Sequence, residues 1–143
     1  MTVAVVDLDA LRLSGWREDL RAQGDWHVYH AAAINDPPDL RLCLLVQGLR
    51  RSAVEIVLVT DQPSGWMIRC QEWLARHDVP GDVLMMRKPA DFRPSHEVKA
   101  EMIQVGPQEM LMGEPAFILS EDIRFLDAAR AVIPGLMTLE VTR

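Results

Sequence analysis

The chain has 143 residues, 49% of them hydrophobic and 25% charged, with a formal net charge of −6. That is enough chain to bury a core without staples, and its acidic balance argues against broad, salt-sensitive binding to duplex nucleic acid, although a local basic patch can still hold a phosphate. Two cysteines outside any CxxC pair argue against a disulfide framework or a structural zinc site. No apolar run is long enough to span a bilayer and no leader-like segment opens the sequence, so the expectation is one cytoplasmic domain over residues 1–143.

Val3–Leu11 reads VAVVDLDAL. A short continuous apolar run marks a strand buried on both faces, here roughly Thr2–Val6. It ends in two carboxylates, Asp7 and Asp9. In open α/β sheets the chemistry gathers beyond the carboxyl ends of the strands. In an extended segment, residues i and i+2 point to one side, so both carboxylates can face one site. Two such charges are costly unless a cation or a shared proton relieves them. The economical reading is a metal-assisted site with a carboxylate nucleophile; the plain one is a strand followed by an acidic turn.

Residues 12–24 are polar and mixed, a loop or short helical flap with Trp16 and Leu20 as anchors. Trp26–Ala33 is expected to be a short strand or an extended approach. Asn35-Asp36-Pro37-Pro38 signals a helix start, with Asp36 as cap and Pro37 in the first turn. Leu40, Cys43, Leu44, Val46 and Leu49 then recur at helical spacing to about Arg50. Glu55–Thr60 is a second buried strand, with Asp61 beside its carboxyl end. Pro63, Ser64 and Gly65 form a turn, and Trp66–His77 is helical. Val83–Met86 is a third strand, followed by the cationic loop RKPADFRP. Ser95–Gln104 is a helix that carries Lys99 and that Ser95 can cap. Gly106–Pro115 is a loop or Met-rich turn. Ala116–Leu119 is a fourth strand ending at Ser120-Glu121-Asp122, Ile123–Val132 a helix, and Leu136–Val141 a fifth strand. Strands alternating with helices imply right-handed crossovers and a mainly parallel, three-layer α/β domain.

The polar residues of interest collect at strand ends: Asp7 and Asp9, Thr60, then Glu121 and Asp122, with Lys99 able to reach the same edge. That order resembles the haloacid-dehalogenase-like (HAD) superfamily. Its pattern is an apolar strand with DxD, a strand ending in Ser or Thr, a later Lys, and an apolar strand ending in an acidic pair. The resemblance covers nearly the whole chain. More narrowly, Met85–Lys99 is similar to the segment before the Lys in the 3′-phosphatase domain of phage-type polynucleotide kinases, which carries an Arg, then Asp-x-Arg, then Val-Lys. The Ile34–Pro37 approach and the Ser64-Gly65 loop are similar as well. Two positions depart from the pattern: Ala10-Leu11 stands where the family has Gly-Thr or Gly-Val, and Glu121-Asp122 where Asp-Asp is commoner.

The resemblance implies a Rossmann-like HAD fold, with a mainly parallel five-stranded sheet and a minimal cap. It implies that Asp7 attacks phosphorus to form an aspartyl-phosphate, and that Asp9 protonates the leaving oxygen and then activates water. Thr60 would hold a phosphoryl oxygen and Lys99 would neutralise charge. It implies Mg²⁺ on Asp7, on Asp9 through its main-chain carbonyl, and on Glu121 or Asp122. Arg87 and Arg93 are candidates for a second phosphate or a strand backbone, with Asp61 and Ser64 beside the substrate. Trp66 is a candidate base-stacking platform, although packing is the commoner use of such a residue. The methionines read as filler, and His27, His30, His77 and His96 share no ligand spacing.

The leading expectation is a phosphatase for 3′-phosphorylated nucleic-acid ends. The alternatives are a phosphatase for nucleotides or other small esters, and a binding module weakened in turnover by Ala10-Leu11. No GxxxxGK[ST] phosphate loop occurs in the sequence, so no kinase half lies within it.

Overall fold

The five residues of β1 (Val3–Asp7) are all buried. In a computed structural model that describes residues 2–109 and 113–143, β1 is the central strand of a five-stranded, all-parallel sheet. The other strands are β2 (Glu55–Pro63), β3 (Val83–Arg87), β4 (Pro115–Ser120) and β5 (Met137–Glu140), in the order β3-β2-β1-β4-β5. The helices are α1 (Leu8–Leu11), α2 (Glu18–Ala22), α3 (Trp26–Ala32), α4 (Leu40–Arg51), α5 (Met67–Arg76), α6 (Ser95–Glu109) and α7 (Ile123–Val132).

Strand alternation divides the core into two layers. Ala4, Val6, Ile56 and Leu58 point toward Cys43 and Val46 of α4 and Cys70 and Trp73 of α5. Val3, Val5, Val57 and Val59 point toward Ile103 of α6 and Phe125, Leu126 and Ala129 of α7. Both faces of the sheet are thus covered, which is why its inner strands are apolar throughout. Gly81 enters β3 so close to this core that a Cβ there would lie 2.5 Å from Leu58 Cδ1. Cys43 and Cys70 are free and buried. Among the described residues no helix is long and apolar enough to cross a membrane.

Strand order reverses at β1: the chain runs outward to β3, then returns to lay β4 on the other side of β1. Such a switch point opens a crevice at the carboxyl ends of the strands, which is where Asp7 ends β1.

Several local expectations change. Residues 26–32 form a helix and not an extended segment. Asp25 caps it by accepting a hydrogen bond from the Val28 amide at 3.3 Å, and Gln62 of β2 meets it through the His30 carbonyl, at 3.3 Å, without strand pairing. Helix α4 is capped by Asp39, whose carboxylate accepts from the Arg41 and Leu42 amides. Asp36, expected to cap it, instead latches the flap. It accepts from Trp16 Nε1 at 2.8 Å and from Arg17 Nε and Nη2 at 2.8 and 2.7 Å. Arg17 also lies over the Tyr29 ring, 4.1 Å from its centroid. Breaking a buried ion pair of this kind costs about 3–5 kcal/mol, so the flap is firmly tied. Trp16 does anchor the flap, through its ring nitrogen, while over half of its surface stays exposed.

Strand β2 runs past Thr60 to Pro63. Helix α6 runs through residues 106–109, where a loop was expected. Met110 and Met112 lie outside the described residues. Helix α6 begins at Ser95 itself, which lines the same cavity as Asp61.

Candidate active site

Asp7 is only 1% exposed. Strand β1 ends on it and the chain turns at once into α1, so the two carboxylates are not brought together by strand alternation. Asp9 sits in a helical turn, and its amide donates back to Asp7 Oδ1 at 3.1 Å. Ala10 and Leu11 both fill the core, fully buried. Ala10 therefore stands in a helical turn that alanine favours, and no glycine conformation is needed there.

Lys99 joins the pair. From α6 its Nζ reaches Asp7 Oδ1 and Oδ2 at 3.0 and 3.1 Å and Asp9 Oδ2 at 2.8 Å. Thr60 Oγ1 donates to Asp9 Oδ1 at 2.7 Å, and the Asp61 amide donates to Asp9 Oδ2 at 3.1 Å. Elements 92 residues apart in sequence thus converge on one ammonium.

These contacts drive the two carboxylates apart in acidity. Burial raises the Asp7 carboxyl to about 6; Lys99 opposes the rise and the Asp9 charge adds to it. Asp9 is half-buried; its desolvation pushes the carboxyl up, yet the Lys99 charge and the hydrogen bonds from Lys99 and Thr60 hold it well below the usual carboxylate range. Burial would lower Lys99, but Asp9 and Asp7 together raise it, so it stays charged. Burial and the Asp9 charge raise Asp61.

Asp7, Asp9, Asp61, Lys99, Glu121 and Asp122 line one cavity of about 330 Å³ at this edge. Thr60 is fully buried beneath it and touches the cavity through Asp9. Ser64, Arg87 and Arg93 do not line it. Arg87 donates to the main-chain carbonyls of Asp61, Asp91 and Arg93, bracing the loop after β3. Arg93 pairs with Asp91 and Glu101. Both guanidiniums are spent on the chain itself.

The acidic pair after β4 is also engaged. Glu121 pairs with Arg143. Asp122 caps α7, accepting from the Arg124 amide at 3.0 Å. The residue that β4 delivers to Asp7 is Ser120, whose Oγ donates to Asp7 Oδ2 at 2.6 Å and accepts from the Asp122 amide at 3.0 Å. Sequence reading passed over it by ending the strand at Leu119. One more residue of strand would have placed a hydroxyl beside β1. Arg12, Arg17, Tyr29 and His30 line the cavity as well. The flap that carries them has no regular pattern, so the sequence singles out none of Arg12, Arg17 and Tyr29, and weighs His30 only as a metal ligand. Ser120→Ala is expected to cost about 1–3 kcal/mol of stability, checked by urea denaturation at pH 7.

Three carboxylates, Asp7, Asp9 and Asp61, offer oxygen ligands beside the Lys99 ammonium, and Arg12, Arg17, Arg21 and Arg124 line the same cavity. That chemistry suits Mg²⁺, a hard cation that keeps several waters and needs only one or two carboxylates. Among the described residues no three His, Cys, Asp or Glu side chains gather as a ready metal cage. A cation here would therefore rest on Asp7 and Asp9 with water, since Glu121 and Asp122 line the cavity but turn their carboxylates to Arg143 and to the first turn of α7.

No protein-family model matches the sequence, and no curated protein matches it. Solved structures match in shape. A chain in the structure of the Pnkp1/Rnl/Hen1 RNA repair complex superposes on 98% of this chain with a TM-score of 0.77 and 17% identity. A chain in another structure of the Pnkp1/Rnl/Hen1 complex does so over 98% with a TM-score of 0.78 and 20% identity. The present chain spans 42% and 45% of those chains, less than half their length. At such identities the likeness is one of fold: an α/β architecture, consistent with a Rossmann-like fold, similar to part of a longer chain found in an RNA repair assembly.

Proposed function

We propose that this chain is a Mg²⁺-dependent phosphomonoester hydrolase of the HAD type that removes 3′-phosphates from nucleic-acid ends through an aspartyl-phosphate on Asp7. The observation that carries the reading is the Asp7–Lys99–Asp9 bridge at the end of the central strand, its Asp7 and Lys99 buried and its Asp9 half-open to the cavity. A nucleophile, a cation and a second carboxylate meet there at hydrogen-bond distance. The nucleic-acid substrate draws support from the RNA repair complex named for the structures of similar fold.

In this mechanism an Asp7 oxygen attacks phosphorus and the bond to the leaving oxygen breaks. The Lys99 ammonium stabilises charge on the nucleophile and on the phosphoryl oxygens. The incoming phosphoryl charge competes with Asp9 for Lys99, which returns Asp9 toward its ordinary range and lets it carry the proton given to the leaving oxygen. Asp9 then takes a proton from the water that attacks phosphorus, releasing phosphate and restoring Asp7. Thr60 holds Asp9 in place. Ser120 fixes the rotamer of Asp7. Mg²⁺, when bound by Asp7 and its neighbours, supplies neutralisation of the phosphoryl charge.

The test is phosphate release from a 3′-phosphorylated oligonucleotide with Mg²⁺, beside a panel of mononucleotides. Faster release from the oligonucleotide is expected. Release confined to mononucleotides would move the substrate to small esters, and no release from any ester would overturn the hydrolase reading.

A further inference from the structure

Helix α3 has no buried residue, although it carries Trp26, His27, Tyr29 and His30. An aromatic helix left without a buried face is unusual unless something else covers it. Its position says what that is. Tyr29 and His30 line the catalytic cavity. From there the rings continue outward: Trp26 stacks on His30 with centroids 6.1 Å apart, His30 lies 6.1 Å from Trp66, and Trp66 lies 5.1 Å from His27. Trp66 also lines a second cavity, of about 550 Å³, together with Arg69, whose guanidinium lies 5.5 Å from the Trp66 ring centroid. Trp26 is 52% exposed. A run of aromatic rings therefore leads from the cavity at Asp7 to a second pocket lined by Arg69 and Glu72, and Arg21, paired with Glu18 at 3.4 Å, stands exposed at the wall of the first.

We infer that this aromatic shelf, His30 and Trp66 with Trp26, holds the unpaired bases of a single-stranded nucleic-acid end whose terminal phosphate lies at Asp7. The inference rests on the hydrolase reading for the position of that phosphate. Aromatic faces hold unpaired bases without regard to sequence, and arginines beside them hold the backbone. In a duplex only the outer face of the terminal pair is free, so a shelf of several rings selects single strands. The shelf also reconciles a nucleic-acid partner with an acidic chain, because stacking supplies affinity that net charge does not.

The test is calorimetric binding to protein carrying Asp7→Asn, which prevents turnover. The ligands are a 3′-phosphorylated single-stranded tetranucleotide, a 3′-phosphorylated blunt duplex, and inorganic phosphate. The tetranucleotide is expected to bind at least tenfold more tightly than the duplex. Adding Trp66→Ala is expected to weaken tetranucleotide binding by about tenfold, leaving phosphate binding unchanged, and Trp66→Phe to restore most of the loss. Equal binding of duplex and single strand, no effect of Trp66→Ala, or an equal loss for tetranucleotide and phosphate would each overturn the shelf. Tetranucleotide binding that depends on Trp66, in a protein whose native form releases no phosphate from any ester, would support the shelf and sink the hydrolase reading alone.

Discussion

Asp7→Asn is expected to lower phosphate release by at least about 10³-fold, because the amide cannot serve as the nucleophile. The fold should survive. Asn keeps an acceptor for Ser120, and Lys99 retains its contact with Asp9 at 2.8 Å. The sign of the stability change follows from the raised acidity constant of Asp7. Its folded value lies near 6, above the ordinary 3.8. Its contribution to stability is therefore fully present below about pH 4 and is lost as pH rises through 6. Relative to the native protein, Asp7→Asn should gain stability as pH rises from 4 to 7. Thermal melts at several pH values read this directly. A variant that kept turnover would remove Asp7 from the mechanism.

Lys99→Met should have the larger effect on stability. It deletes the one ammonium that Asp7 and Asp9 share and leaves both carboxylates without it at a buried floor. The loss expected at pH 7 is about 3–5 kcal/mol, measured by urea denaturation, with phosphate release undetectable. Without Lys99 the Asp7 acidity constant rises further, so protonation near pH 5 should recover part of the lost stability. Lys99→Arg separates charge from geometry. It should restore much of the stability at pH 7 but little of the activity, because a planar fork does not reproduce a point charge held between two carboxylates. A Lys99→Met protein as stable as the native one at pH 7 would show that the bridge is not a structural charge pair.

The arrangement of the bridge also explains why Ala10-Leu11 does no harm to the local fold. The turn after β1 is helical and buried, and both residues pack into the core. The same is not true of the acidic pair. Its two carboxylates are turned to Arg143 and to the first turn of α7, and the hydroxyl of Ser120 takes the place next to Asp7.

Much of this protein was determined by sequence alone. Apolar runs that end in polar residues specified the strands, their alternation with helices specified a parallel sheet, and the residues at strand ends named Asp7, Asp9, Thr60, Glu121 and Asp122 as one cluster, with Lys99 reaching it from the helix before β4. Those signals are local, since burial on both faces of a strand leaves a continuous apolar record in the chain. Tertiary structure decided the rest. It made Arg87 and Arg93 braces for a loop, made Asp36 a latch for Arg17, turned residues 26–32 into an aromatic helix beside the cavity, and brought Ser120 to Asp7. In each case the outcome depends on which partner lies within about 3 Å, and a hydrogen bond between residues 113 positions apart, as for Ser120 and Asp7, leaves no periodic mark in the sequence.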